Sequence, residues 1–131
     1  MVNKQNFINA INQNIDMVRG DTLAFNFQLA GLGSQAAYEA LDVLLAVAEH
    51  YDDEALIEIT KTDGIALEEY DAENDTALFS VCVAPQYTKN MDLERYYYDL
   101  QIKDTDNVIT LMRGRLTLLW DVAKIAVIVY L

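Results

Sequence analysis

A single cysteine, Cys82, rules out a disulfide within the chain. It lies in the apolar run Phe79 to Val83 and reads as a small buried hydrophobe, since free cysteine is usually core and nothing positive adjoins it to activate a thiol. A single histidine, His50, has no second His or Cys nearby in sequence with which to hold zinc, and it reads as a surface residue at a strand end. No Gly-rich phosphate loop, dinucleotide fingerprint, nucleophile elbow or zinc-protease helix motif is present. Long apolar runs are missing too. Ile125 to Leu131 is too short to cross a bilayer, and the polar, Asn-rich residues 1–15 lack the apolar core of a secretion signal. Basic charge is scarce: 9 Lys and Arg against 21 Asp and Glu leave a net charge of −12. That field repels phosphate backbones and anionic headgroups, which argues against nucleic-acid binding and membrane insertion. It also keeps a protein soluble at high copy number.

What remains is a hydrophobic fraction of 53% in 131 residues, enough for one domain with its own core. From residue 16 onward the dominant period is two. Leu23, Phe25, Phe27 and Leu29 alternate with Ala24, Asn26 and Gln28. Val43 to Ala48 is apolar throughout and fits a short helix or, preferably, a strand covered on both faces. Leu56–Thr60, Ile65–Tyr70 and Thr76–Ala84 follow, the last stopped by Pro85. Arg95 to Lys103 is the clearest strand, and Val108–Met112 returns as its hairpin partner. The spacing predicts an all-β, mainly antiparallel fold of about eight strands, a β-sandwich (Ig-like) or a small barrel.

Four turn positions follow from residue type. Gly20 and Asp21, in Arg19-Gly20-Asp21, make a sharp turn into the Thr22 strand. Gly64 closes the hairpin-type turn Lys61-Thr62-Asp63-Gly64 with a positive φ, and Gly114 interrupts its strand as a bulge or bend. Residues 34–41 and 86–94 each have room for one helical turn. Before the strands, Phe7, Ile8, Ile11 and Ile15 fall on one helical face, so residues 1–17 read as a short amphipathic helix or an arm, and 18–131 as the sandwich domain.

Chemistry is thin. Asp52-Asp53-Glu54, the loop of Asp71, Glu73 and Asp75, and the turn of Asp104, Asp106 and Asn107 fall where such residues bond their own backbone. Calcium is the alternative use of the last two, although neither matches the twelve-residue calcium loop. No catalytic, metal or cofactor set emerges. The surface argument is stronger. Ile125, Val127, Val129 and Leu131 alternate with Ala126, Ile128 and Tyr130, apolar on both faces, so this segment needs cover on both sides, from its own sheet or from another subunit. Phe7, Ile8, Ile11, Ile15, Ile125, Val127, Val129 and Tyr130 are the candidate subunit contacts.

Several pieces, in order, carry a resemblance. They are Arg19-Gly20-Asp21-Thr22 with Phe25 and Phe27, then Asp63-Gly64-Ile65, then Pro85, Thr88 and Met91. Tyr96 to Ile102 follows, and then Arg113-Gly114 leading to Leu116, Leu118, Trp120, Asp121 and Val122. Together they resemble short structural proteins of tailed bacteriophages and prophages, similar to the N-terminal domain of the phage baseplate upper protein. The resemblance implies a virion structural protein of the tail or baseplate, assembled in the bacterial host cytoplasm. Such a protein is not an enzyme, forms homo-oligomers, docks to other tail proteins and carries no cofactor. The alternative is a glycan- or calcium-binding module of a receptor-binding device, with Tyr96, Tyr97, Tyr98 and Trp120 as sugar-stacking rings.

Overall fold

A computed structural model describes residues 11–92 and 94–120. Of the candidate contact residues, Phe7, Ile8, Ile125, Val127, Val129 and Tyr130 lie outside them. The described chain forms β1 (Ile11–Asn12), β2 (Ile15–Val18), β3 (Leu23–Ala30), α1 (Gln35–Glu39), β4 (Asp42–Ala48), β5 (Ile57–Ile59), β6 (Ile65–Asp71), β7 (Thr76–Val83), β8 (Arg95–Lys103) and β9 (Val108–Leu119). Two sheets face each other. The larger runs β1-β9-β8-β4-β5, with β2 also on β9, and the smaller runs β3-β7-β6. All pairings are antiparallel except those of β1 and β2, which lie parallel to β9. The all-β sandwich expected from the alternation is what the chain adopts, and the two separate sheets exclude the barrel.

The period of two decides which side chains meet. In β8, Tyr96, Tyr98, Leu100 and Ile102 are buried while Tyr97, Asp99 and Gln101 face outward. In β4, Val43, Leu45 and Val47 are buried, so the uniformly apolar run is a strand whose outward residues Leu44, Ala46 and Ala48 are only half covered. From the smaller sheet come Leu29, Ile65, Phe79, Val81 and Val83. Phe27 and Phe79 pair across β3 and β7 with rings 5.1 Å apart and nearly parallel. Between the sheets, α1 closes one end. Ser34 caps it through its side chain on the Ala37 amide, and Tyr38 is fully buried. The Tyr38 hydroxyl donates to Asp75 and accepts from the Leu32 amide, which satisfies a polar atom that burial would otherwise penalise. Burial of that ring also holds its pKa above the ordinary tyrosine value.

Five expectations are corrected. Residues 11–12 and 15–18 are strands, not helix, because pairing with the free edge of β9 satisfies backbone groups that this Asn-rich stretch would hold poorly in a helix. The turn after β5 is no hairpin: β5 belongs to the larger sheet and β6 to the smaller, so it carries the chain between layers. Gly64 does not have a positive φ. The positive-φ glycines among the described residues are Gly20, Gly31 and Gly33. What Gly64 supplies is closeness: a Cβ there would stand 2.2 Å from the Cys82 carbonyl oxygen, and the Gly64 carbonyl accepts the Cys82 amide. Gly114 is not a bulge either. The register slips nearer the start of β9, between the pairs Leu100–Met112 and Gln101–Thr110, and Gly114 pairs regularly with Tyr98. Lastly, Cys82 is exposed. Phe79, Val81 and Val83 take the inner face, so residues 80 and 82 must point out.

Candidate functional site

Gly114 lies on β9 beside the break between β1 and β2. A Cβ at 114 would lie 2.2 Å from the Gln13 carbonyl oxygen, and that same carbonyl accepts the Tyr98 hydroxyl. Asn14 Oδ1 accepts the Arg115 amide, bridging the break between β1 and β2. Ile11, one of the predicted contact residues, is 64% exposed on β1, and Ile15 is half-buried against the core. The Arg19-Gly20-Asp21 turn behaves as its residue types require. Gly20 has φ +82°, the Asp21 amide donates to the Val18 carbonyl, and the Gly20 amide donates to the Oγ1 of buried Thr88. Two of the pieces that carried the resemblance thus meet at one corner.

The carboxylate loops are spoken for by their own backbone. Asp71 Oδ1 accepts the Glu73 and Asn74 amides, and Asp71 Oδ2 accepts the Asn74 side-chain amide, a bond that leads in lowering the Asp71 pKa. Asp104 Oδ1 accepts the Asp106 and Asn107 amides. Asp75 holds the Gly33 amide and the Tyr38 hydroxyl. The Asp71 and Asp104 bonds are turn bonds, whereas those of Asp75 tie its loop to the segment after β3 and to α1. A depression of about 440 Å³ lies between α1 and the β8–β9 turn, lined by Leu32, Leu41, Asp42, Lys103 and Asp106 among others, without a His or Cys.

The outer face of the larger sheet is charged and aromatic. Asp16, Asp42, Glu58, Arg95, Asp99, Lys103, Arg113 and Arg115 all point outward from it. Tyr51 sits between the Tyr97 ring, 4.7 Å away, and the Arg113 guanidinium, 4.1 Å from its centroid. His50 stacks at 6.5 Å on Tyr97 and its Nδ1 lies 2.9 Å from Asp53 Oδ2. Glu49, His50 and Asp53 bring ligand atoms within 4.8 Å of one another, all on exposed side chains. Asp99, opposite Arg113, has its pKa raised by burial, with the Arg113 charge opposing. Burial likewise pushes the Tyr98 hydroxyl up to about 12. Of the rings proposed for sugar stacking, Tyr96 and Tyr98 are core, Tyr97 is covered by Tyr51 and His50, and Trp120 carries the Arg19 guanidinium at 4.8 Å. Trp120 nevertheless stays 66% exposed.

The smaller sheet presents the opposite surface. On β3 and β7 its outer face is made of Ala24, Asn26, Gln28, Ala30, Thr76, Leu78, Ser80 and Cys82, none charged, and its acidic groups are confined to β6, where Glu69 and Asp71 lie opposite Leu78 and Thr76 and Glu68 accepts the Ser80 hydroxyl. Along both strands, inner and outer residues together, no Asp, Glu, Lys or Arg occurs. Among the described residues no strand pairs with the outer edge of β3. Sequence reasoning located β3 but not its place at the end of a sheet, since strand order is invisible in a period of two.

No protein-family model matches the chain, and no curated protein matches it. Among solved structures the fold is similar to part of a family 123 glycoside hydrolase from Clostridium perfringens, described in work on glycolipid glycan hydrolysis. The TM-score is 0.53 at 13% identity, over 85% of this chain and 23% of that one. This chain therefore spans less than a quarter of the enzyme's length, and at that identity the likeness concerns the fold alone.

Proposed function

We propose that this protein is a structural component of a bacteriophage or prophage virion, of the tail or baseplate, working by contact with copies of itself and with other tail proteins rather than by catalysis. The observation that carries the assembly part of this reading is the uncharged outer face of β3 and β7, with a β3 edge that no strand among the described residues occupies, in a chain whose net charge is −12. A surface free of like charge is where a strongly acidic protein meets another polypeptide at least cost, and an open edge supplies backbone donors and acceptors for it. The phage assignment comes from the resemblance carried by the Arg19-Gly20-Asp21, Pro85–Thr88 and Arg113-Gly114 pieces. Two of these meet through the Gly20–Thr88 hydrogen bond. The ligand-binding alternative has less support, because of the four rings it needs Tyr96 and Tyr98 are buried in the core and Tyr97 packs on Tyr51, which leaves Trp120 as the exposed one.

The test is direct. Particles induced from the source strain are purified on a density gradient and labelled with gold-conjugated antibody to this chain. Multiple labels on the tail, with the chain present in many copies by mass spectrometry, are expected. Its absence from gradient-purified particles would overturn the virion assignment.

A further inference from the structure

The sandwich has four terminal strand edges among the described residues, and they are not equally protected. The edge built from β1 and β2 is broken at Gln13–Asn14 and carries Asp16. At the other side of that sheet, β5 is three residues long with Glu58 at its centre. In the smaller sheet, β6 has a register slip between Leu67 and Glu69 and carries Glu68, Glu69 and Asp71. Shortness, bulges and charge are the devices that keep sheet edges from pairing with other chains. The fourth edge, β3, has none of them. It is eight residues long, pairs with β7 in unbroken register from Leu23 to Ala30, and contains no proline and no charge.

We propose that β3 is the dimerisation strand of this protein, pairing antiparallel with β3 of a second copy about a two-fold axis and joining the two smaller sheets into one. The proposal rests on the assembly reading above and names its surface and partner. Antiparallel pairing sets residues of the same face opposite one another, so only registers that keep inner residues against inner ones are allowed. With Asn26 on the axis, Phe25 faces Phe27 of the second copy, Leu23 faces Leu29 and Ala24 faces Gln28. The inner pairs are all apolar, the outer pairs are all uncharged, and the half-buried Phe25 and Phe27 gain cover on their open flank. This self-matching register is what fits a second copy as the occupant, and the neutrality of the strand permits it. Two chains of net charge −12 repel wherever their acidic surfaces approach, and at β3 the facing residues are neutral.

The experiment is light scattering of the full chain over a concentration series, for wild type, Asn26→Gln and Asn26→Lys. The Asn26 side chain is exposed, so neither substitution should disturb the fold, and thermal melts by circular dichroism verify this. Wild type and Asn26→Gln are expected at twice the 14.8 kDa chain mass. Asn26→Lys sets two ammonium groups together at the axis and should weaken the dimer by about 100-fold or more. In a Cys82→Ser background, Asn26→Cys should oxidise to a disulfide-linked dimer, because facing antiparallel residues lie within disulfide reach. A folded Asn26→Lys chain that stays dimeric overturns the β3 assignment and leaves self-assembly standing. A wild type that is monomeric at every concentration overturns both. That second result is also the one expected if the chain's own Ile125–Leu131 or a different protein occupies this edge.

Discussion

Residue by residue, the tightest constraints concern close approach. Gly114 leaves room for the Gln13 carbonyl, and Tyr98 donates to that same oxygen. Gly114→Ala should therefore destabilise the fold by about 1–3 kcal/mol, as overpacking does. Tyr98→Phe should cost about 1–2 kcal/mol through the unpaired carbonyl. Because both act on one atom, urea melts of the double variant should show less than the sum of the two losses. Cys82 offers a second check at this scale. Its exposure means that a colourless disulfide reagent such as Ellman's should label it fully in the native state, before unfolding begins in a denaturant series. Protection until unfolding would contradict the outward placement of residue 82. Asp99 gives a sign-definite pH effect. Its pKa is raised in the folded chain, so the folded state takes up the proton first and stability falls as pH rises from the ordinary carboxylate value through the raised one. Asp99→Asn should flatten that dependence and be no less stable than wild type at pH 7. A clear loss there would mean that the Arg113 attraction outweighs burial.

Among the elements, edge protection separates β6 from β3. The two flank β7 in the same sheet, yet only β6 carries a bulge and acidic side chains. If those charges guard the edge, replacing Glu68 and Glu69 by Val should produce concentration-dependent turbidity at neutral pH while secondary structure by circular dichroism is retained. Both side chains are exposed, so lost packing would not explain the change. The periodicity that placed β3 and β8 in the sequence also predicted their inner faces, because a residue covered on one side reveals itself by alternation, whereas the uniformly apolar β4 gave no such signal. The same signal failed in residues 11–18. There Ile11 and Ile15 share a helical face by spacing, but an open β9 edge offers partners that outweigh weak local preference.

For the molecule as a whole, net charge is the quantity that most affects association. Copies of net charge −12 repel through water, and salt screens that repulsion. Dimerisation through a neutral strand should therefore tighten as NaCl is raised from low to physiological concentration and beyond, read by sedimentation equilibrium. An interface held by ion pairs would weaken instead. The chain's distribution of charge is uneven in a way composition conceals: one outer sheet face is densely charged, the other is neutral on β3 and β7.

Sequence alone determined the all-β class, the strand positions between residues 23 and 119 apart from the uniformly apolar Val43–Ala48, and the turn at Gly20–Asp21, because alternation and turn chemistry are local properties. It could not show that Gly64 and Gly114 serve close contacts with residues 18 and about 100 positions away, since those contacts depend on how the strands are ordered in space. The tertiary structure alone decided that Tyr97 is covered by Tyr51 and that β3 ends a sheet, whereas the outward placement of Cys82 follows from the alternation of Phe79, Val81 and Val83. The physical reason is common to the first two: a side chain's partners across a sandwich are set by layer and strand order, and neither is written in the spacing of apolar residues.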